Sequence, residues 1–272
     1  MPVGLDQIVA ASRRRVAETQ VLSDLGQLET KAEAHVPRGF QQALQTASKK
    51  GIAVIAELKK ASPSRGVIRA EFDPEKLAKE MEIAGAAALS VLTDAEFFQG
   101  SIENLRRASA SVRLPCLRKD FIVDEFQIVE ARAHGADAVL LIVAALSEAE
   151  LTKLAKSARH WGLDVLCEVH DREELGHAVD AGCDLIGVNN RDLRTFKVDL
   201  ETAIRLSEFI PKHVTCIAES GIHSRADIAR LRAAGYHSFL IGESLMAAES
   251  PGEALRELLA EASTEYPVPS TG

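Results

Sequence analysis

The sequence predicts an α/β fold, a single (β/α)8 TIM barrel with an N-terminal helical extension. Three observations predict it. Eight short apolar runs recur along the 272 residues, their starts 21 to 35 residues apart, each followed by a helical pattern. Five of the runs share one lead-in: a helical segment, a Gly, then one or two spacers. No GxGxxG follows the first run, as an open dinucleotide-binding sheet would favour, and eight βα units in about 250 residues suit a closed barrel.

Residues 1–50 form the extension, with helical patterns at about Leu5–Glu18 and Phe40–Lys49 broken at Pro37-Arg38-Gly39. It is expected either to plug the bottom of the barrel or to cover its mouth. The barrel occupies residues 51–263 as the catalytic domain. Its strands are expected at Ile52–Leu58, Ala87–Leu92, Pro115–Arg118, Ala138–Val143, Asp164–Val169, Leu185–Asn189, Val214–Glu219 and Ser238–Ile241. These runs are almost continuously apolar, as strands buried on both faces of a parallel sheet should be. Gly85, Gly135, Gly162, Gly182 and Gly235 precede the second, fourth, fifth, sixth and eighth strands, where a left-handed residue closes the preceding helix. Helix starts are marked by Asp124-x-x-Gln127, Ser147-x-x-Glu150, Asp171-x-x-Glu174 and Ser224-x-x-Asp227, and by Asp73-Pro74 and Ser250-Pro251. Residues 264–272, with Pro267 and Pro269, read as a flexible tail.

Composition narrows the function. An apolar fraction of 46% is too high for a disordered chain, and 32 basic against 40 acidic residues leave a net charge of −8. That balance argues against nucleic acid or a membrane surface as partner. The longest uncharged stretch, Ile83–Thr93, is far short of the ~20 residues that span a bilayer. Asp6 interrupts the N-terminus and Arg13-Arg14-Arg15 follow its apolar residues, unlike a signal peptide. Those arginines read as a solvated helix face. Cys116, Cys167, Cys183 and Cys216 show no CxxC spacing and sit in apolar runs, so they are expected to be reduced core residues of a cytoplasmic protein. The eight histidines form no HExxH, so no metal site is expected.

In this fold the active site lies at the C-terminal ends of the strands. There the chain places Glu57 and Lys59, Arg118-Lys119-Asp120, Glu168, Asn189-Asn190-Arg191 and Glu219-Ser220-Gly221. Charged residues are seldom buried unpaired, so Glu57, Lys59, Lys119, Glu168 and Glu219 at the ends of apolar strands form one collective signal. Alternation sets Glu57 and Lys59 on one face, toward the barrel interior. Ser220-Gly221 and Gly242-Glu243 follow the seventh and eighth strands, the usual phosphate cradle, where only the backbone N–H of Glu243 is expected to serve. Ser62-Pro63-Ser64-Arg65-Gly66 is either an anion-clamping loop or an ordinary mobile one. Phe97, Phe98 and Phe121 are either core rim or the lining of an apolar pocket.

IAELKKASPSRG, LRKDFIVDEFQI, IGVNNRDLRTFKVD, AESGI and FLIGESLM, in this order, resemble the signature segments of the indole-3-glycerol phosphate synthase family. The likeness covers essentially residues 1–262, including the PRGF segment before the barrel. It implies a tryptophan-pathway lyase closing a ring in 1-(2-carboxyphenylamino)-1-deoxyribulose 5-phosphate, with loss of CO2 and then water and with no cofactor. It further implies that Lys119 is the general acid, that Lys59 holds the anthranilate carboxylate and takes part in the dehydration, and that Glu168 is the general base. Glu57, Asn189 and Glu219 would orient substrate or stabilise charge, Arg191 would support them, and Ser62, Ser220, Gly221, Gly242 and Glu243 would contact substrate or phosphate. Phe98 and Phe121 are candidates to wall its aromatic end. Asn190 stands where some relatives have Ser. Two lysines facing one pocket are expected to lower each other's pKa, a trend that the glutamates limit. The expected partner is a small phosphorylated substrate, and the expected state a monomer, with a weak dimer as the alternative. A Schiff-base aldolase with Lys119 as nucleophile and a non-catalytic phosphosugar-binding barrel are the rival readings.

Overall fold

Alternation along the strands splits the apolar residues of the chain into two cores. In the computed structural model, which describes residues 4–193 and 195–262, eight parallel strands close on themselves. They run Ala53–Leu58, Ala88–Leu92, Cys116–Lys119, Ala138–Ile142, Asp164–Val169, Leu185–Asn189, Thr215–Glu219 and Ser238–Ile241. The first strand pairs with both the second and the eighth, with Ile55 opposite Ala88 and also opposite Leu240. Ala53, Ile55, Leu117, Leu140, Leu166, Leu185, Ile217 and Leu240 fill the barrel interior. Val54, Ala56, Leu58, Val139, Cys167 and Ile186 face the surrounding helices.

The local signals act as expected. All five helix-closing glycines take positive φ, from 67° at Gly162 to 98° at Gly85. The boxes at Ser147, Asp124 and Ser224 are reciprocal. At Asp171 the Glu174 carboxylate instead accepts from the His170 N–H, one residue earlier. The tail read as flexible, residues 264–272, lies outside the described residues.

The extension holds three helices where two were expected: Leu5–Leu22, Leu25–Ala34 and Phe40–Ser48. The middle one is started by the Asp24 carboxylate, which accepts from the Gln27 N–H, and it buries only Ala32. Cover and plug both occur. Phe40 and Leu44 close the bottom of the barrel, where the Gln41 N–H donates to Asp164 at the start of the fifth strand. Ile8, on the first helix, joins the same interior core from the mouth, beside Phe121. Arg38, of the PRGF segment, ties the extension down. Its guanidinium donates to the buried Asp137 carboxylate, the Ser109 carbonyl and hydroxyl, and the Val112 and Gly135 carbonyls. Burial pushes the Asp137 carboxyl up, but His35 and Arg38 outweigh it and hold the pKa below the ordinary carboxylate range.

Two expectations are corrected. Cys167 and Cys183 are joined in a disulfide, not reduced. Cys167 points outward from the fifth strand, and Cys183 follows the helix that packs on it, so their Cα atoms lie 6.5 Å apart. The Arg13–Arg15 run is not one solvated face. Arg13 pairs with Glu150 at the surface, whereas Arg15 reaches Asp94 at 2.6 Å and the buried Asp120 at 2.9 Å.

Candidate active site

Strand parity builds the site. Glu57 and Lys59 continue the interior row of Ala53 and Ile55, Lys119 follows Leu117, Glu168 follows Leu166, and Glu219 follows Ile217. At the C-terminal rim these inward rows turn from apolar to charged and line one cavity. Lys119 Nζ donates to Glu168 Oε2 at 2.8 Å and Glu219 Oε2 at 3.2 Å, while Lys59 Nζ donates to Glu57 Oε1 at 2.5 Å. Asn189 holds the other Glu168 oxygen at 3.0 Å and accepts the Arg191 N–H through its own carbonyl.

The three carboxylates invert the expected behaviour of Lys119. Burial alone would lower its pKa, but Glu168, Glu219 and Glu57 outweigh it and raise the pKa above that of an ordinary lysine. Lys59 brings no comparable repulsion, because Glu57 engages its ammonium. The two glutamates on Lys119 are driven apart. Burial favours the neutral acid in both, yet Lys119, with His170 and Asn189, holds Glu168 at about 2. In Glu219 burial prevails over Lys119, the Glu168 charge adds to it, and the pKa is pushed up to about 7. Glu219 Oε1 is also buried without a hydrogen-bond partner among the described residues.

All fourteen site residues expected from the sequence line this cavity. Phe98 and Phe121 belong to its wall, their ring centroids 6.4 Å apart, and Ile8 lies on the same wall. At the opposite end stand Ser220, Gly221 and Gly242, ahead of the short helix Glu243–Ala247. Ser220 itself takes φ 66°, a strained conformation outside glycine. The loop is pinned by Asn190, which is buried and donates through Nδ2 to the Ser220 carbonyl. Glu243 lines the cavity, and its carboxylate is engaged by arginines. It accepts from Arg65 at 2.8 Å and Arg191 at 3.4 Å, so its charge is matched by two guanidinium groups. The Ser62–Gly66 loop is organised too: Ala61–Ser62 and Gly66–Val67 pair as a two-residue hairpin.

Sequence reasoning missed several contributors. A Cβ on Gly187 would stand 2.0 Å from Glu219 Oε1, and one on Gly242 would stand 2.4 Å from Glu57 Oε1. Both glycines make room for a carboxylate of the cavity; nothing local marks Gly187, and the sequence points to Gly242 only as a phosphate contact. Asp94 and Asp120 line the cavity while they hold Arg15, and Leu193 and Phe196 arrive from the loop after the sixth strand.

With this geometry in place, known proteins can be set beside it. The sequence model of the family described as indole-3-glycerol phosphate synthase matches residues 5–258. A relative named indole-3-glycerol phosphate synthase, from Koribacter versatilis (strain Ellin345), is 60% identical over 255 residues, which is 94% of this chain and 98% of that one. Among solved structures, 3-hexulose-6-phosphate synthase from Salmonella typhimurium matches with a TM-score of 0.62 at 12% identity, over 78% of this chain and 100% of its own. Thiamine phosphate pyrophosphorylase from Pyrococcus furiosus matches with a TM-score of 0.58 at 17% identity, over 79% and 98%. At such identities these two likenesses concern the fold alone.

Proposed function

The chain belongs to the indole-3-glycerol phosphate synthase family, and from that premise we propose how its residues divide the work of the ring closure. The reaction converts 1-(2-carboxyphenylamino)-1-deoxyribulose 5-phosphate to indole-3-glycerol phosphate, CO2 and water, a lyase step of tryptophan biosynthesis. The observation that carries the assignment is Lys119, held between Glu168 and Glu219 at the floor of the cavity.

Lys119 is the general acid. Its carboxylate neighbours keep it protonated before substrate arrives, and it donates to the ribulose carbonyl oxygen as the aromatic carbon attacks. The same protonation disfavours the Schiff-base reading, because an attacking amine must first be neutral. Lys59 binds the anthranilate carboxylate from its place on Glu57. Loss of CO2 restores the aromatic ring, so the electron pair released by the breaking C–C bond needs no external sink. Glu168, anionic and oriented by Asn189, is the base that removes a substrate proton on the way to the indole. Glu219, close to neutral pH in its titration, balances charge around Lys119.

Binding is divided between the two ends of the cavity. The phosphate sits on the backbone of Ser220, Gly221 and Gly242 and on the first N–H groups of the helix at Glu243, which have no intrahelical partners. Ser62 and Arg191 close on the same end. The aromatic ring lies against Phe98, Phe121 and Ile8, in a drier site where the carboxylate–Lys59 attraction is stronger. The test is fluorescence-monitored appearance of the indole product from the synthetic ribulotide, matched by CO2 release. Binding of the ribulotide without either signal would leave a phosphosugar-binding barrel and overturn the reading.

A further inference from the structure

The segment after the first strand is fastened twice to the short helix Glu243–Ala247. Arg69 holds the far end of that helix: its Nε donates to the Met246 carbonyl at 3.0 Å, and its Nη2 donates to the Ala248 carbonyl. Arg65 holds the near end, its Nε donating to Glu243 Oε1 at 2.8 Å. It occupies the turn of the hairpin that pairs Ala61–Ser62 with Gly66–Val67, and its backbone N–H closes that turn on the Ser62 carbonyl at 3.3 Å. The two fastenings are unequal. Arg69 is half-buried and grips main-chain carbonyls, whereas the Arg65 side chain is 65% exposed. An ion pair so exposed adds little to stability, and Arg69 already moors the segment. Fastening therefore does not account for the guanidinium at position 65.

We propose that Arg65 is a further phosphate-binding residue, held over the phosphate end of the cavity by the Glu243 carboxylate. This rests on the reading that the phosphate lies at Ser220, Gly221 and Gly242. Arg65 stands at the rim beside Ser62 and Ser64, which line the cavity. It gives one donor, Nε, to Glu243, and its two Nη groups have no partner among the described residues. Both are joined to Nε through a single carbon, so they stay at the same end of the cavity. A guanidinium with that pair of N–H groups to offer suits phosphate oxygens, which take charge-assisted bonds from a planar fork.

Glu243 serves Arg191 in the same way. Its other oxygen, Oε2, accepts from Arg191 Nη2 at 3.4 Å, so one carboxylate bridges cations from the loops after the first and sixth strands. Two arginines against one glutamate leave this end with a surplus positive charge, the sign a phosphate requires. Alone, Glu243 would repel the phosphate. As a bridge, it fixes in advance two long side chains that would otherwise be ordered only on binding. Glu243 is thus a positioning residue, and Arg65 is the group that touches the phosphate.

The test measures inorganic phosphate as a competitive inhibitor of the full-length enzyme, in Arg65→Gln, Arg65→Lys, Glu243→Gln and the double variant Arg65→Gln/Glu243→Gln. Arg65→Gln should raise the phosphate inhibition constant and the KM of the ribulotide about tenfold, the loss falling on KM more than on kcat. Its Tm should stay within about 2 °C of wild type, as an exposed pair allows. Arg65→Lys keeps the charge without the fork and should lie in between. Glu243→Gln removes a negative charge, so simple repulsion predicts tighter phosphate, whereas positioning predicts weaker phosphate. If Arg65 acts through Glu243, the double variant should be within about twofold of the worse single one. An inhibition constant within about twofold of wild type in Arg65→Gln, tighter phosphate in Glu243→Gln, or losses that multiply in the double variant would each overturn the proposal. Gly221→Val is the reference. If it weakens phosphate inhibition while Arg65→Gln does not, the clamp alone is wrong. If both leave inhibition unchanged, the phosphate end itself is misplaced and the clamp falls with it.

Discussion

Lys119, the proposed general acid, is kept protonated by the carboxylates around it. Lys119→Met should lower kcat by ~10²–10⁴ while substrate still binds, since phosphate and aromatic ring are held elsewhere. Pre-steady-state fluorescence reads both quantities, and near-wild-type turnover would remove Lys119 from the acid's role. Glu219 gives a second prediction at this scale. Its pKa rises from the ordinary ~4.3 of an unfolded glutamate to about 7 in the folded protein. Its contribution to stability is therefore fully present below pH ~4.3 and is lost as pH rises through about 7. Glu168 moves the other way, losing its contribution only as pH falls through about 2, outside that window. Between pH 5 and 8 the wild type should lose stability relative to Glu219→Gln. Parallel stability–pH curves for the two proteins in urea would contradict the raised pKa.

At the scale of elements, the first helix of the extension and the loops after the last two strands line the cavity at its proposed aromatic and phosphate ends. Removing residues 1–22 takes away Ile8 and Arg15 but leaves the helix Phe40–Ser48 plugging the barrel. The truncated protein should show a raised KM at a temperature where it is fully folded, because the aromatic end loses its cover and Asp94 and Asp120 lose their shared cation. An unchanged KM with only a lower Tm would make the first helix a brace. At the other end, inorganic phosphate should inhibit competitively, and Gly221→Val should weaken that inhibition. Gly221 takes φ 76°, and an added Cβ would stand 2.4 Å from Val198 Cγ1, so the loop must move. An unchanged inhibition constant would place phosphate elsewhere.

For the whole molecule, the tie between extension and barrel is Arg38. Arg38→Met keeps the backbone bond to Asp137 but strips a buried carboxylate of its cation, a change that costs about 3 kcal/mol. The urea midpoint should fall accordingly with KM unchanged, and a shift under ~1 kcal/mol would reduce the contact to a surface pair. Much of this architecture is written locally. Continuous apolar runs, glycines past helix ends and capping residues each act within a few positions, so eight strands and the barrel they close follow from the sequence alone. So does the inward row of Glu57, Lys119, Glu168 and Glu219, because strand alternation carries an interior row up to the rim. The helix Leu25–Ala34 escaped, since it buries little of itself. What only the tertiary structure decided are relations between distant residues. Three carboxylates converge on Lys119 and reverse its expected shift, Gly187 makes room for Glu219, Arg15 reaches across to Asp94 and Asp120, and Cys167 meets Cys183. Sequence spacing encodes which face a residue takes on its own element. The charge, the space and the partner it meets there are set by other elements, which become its neighbours only when the barrel closes.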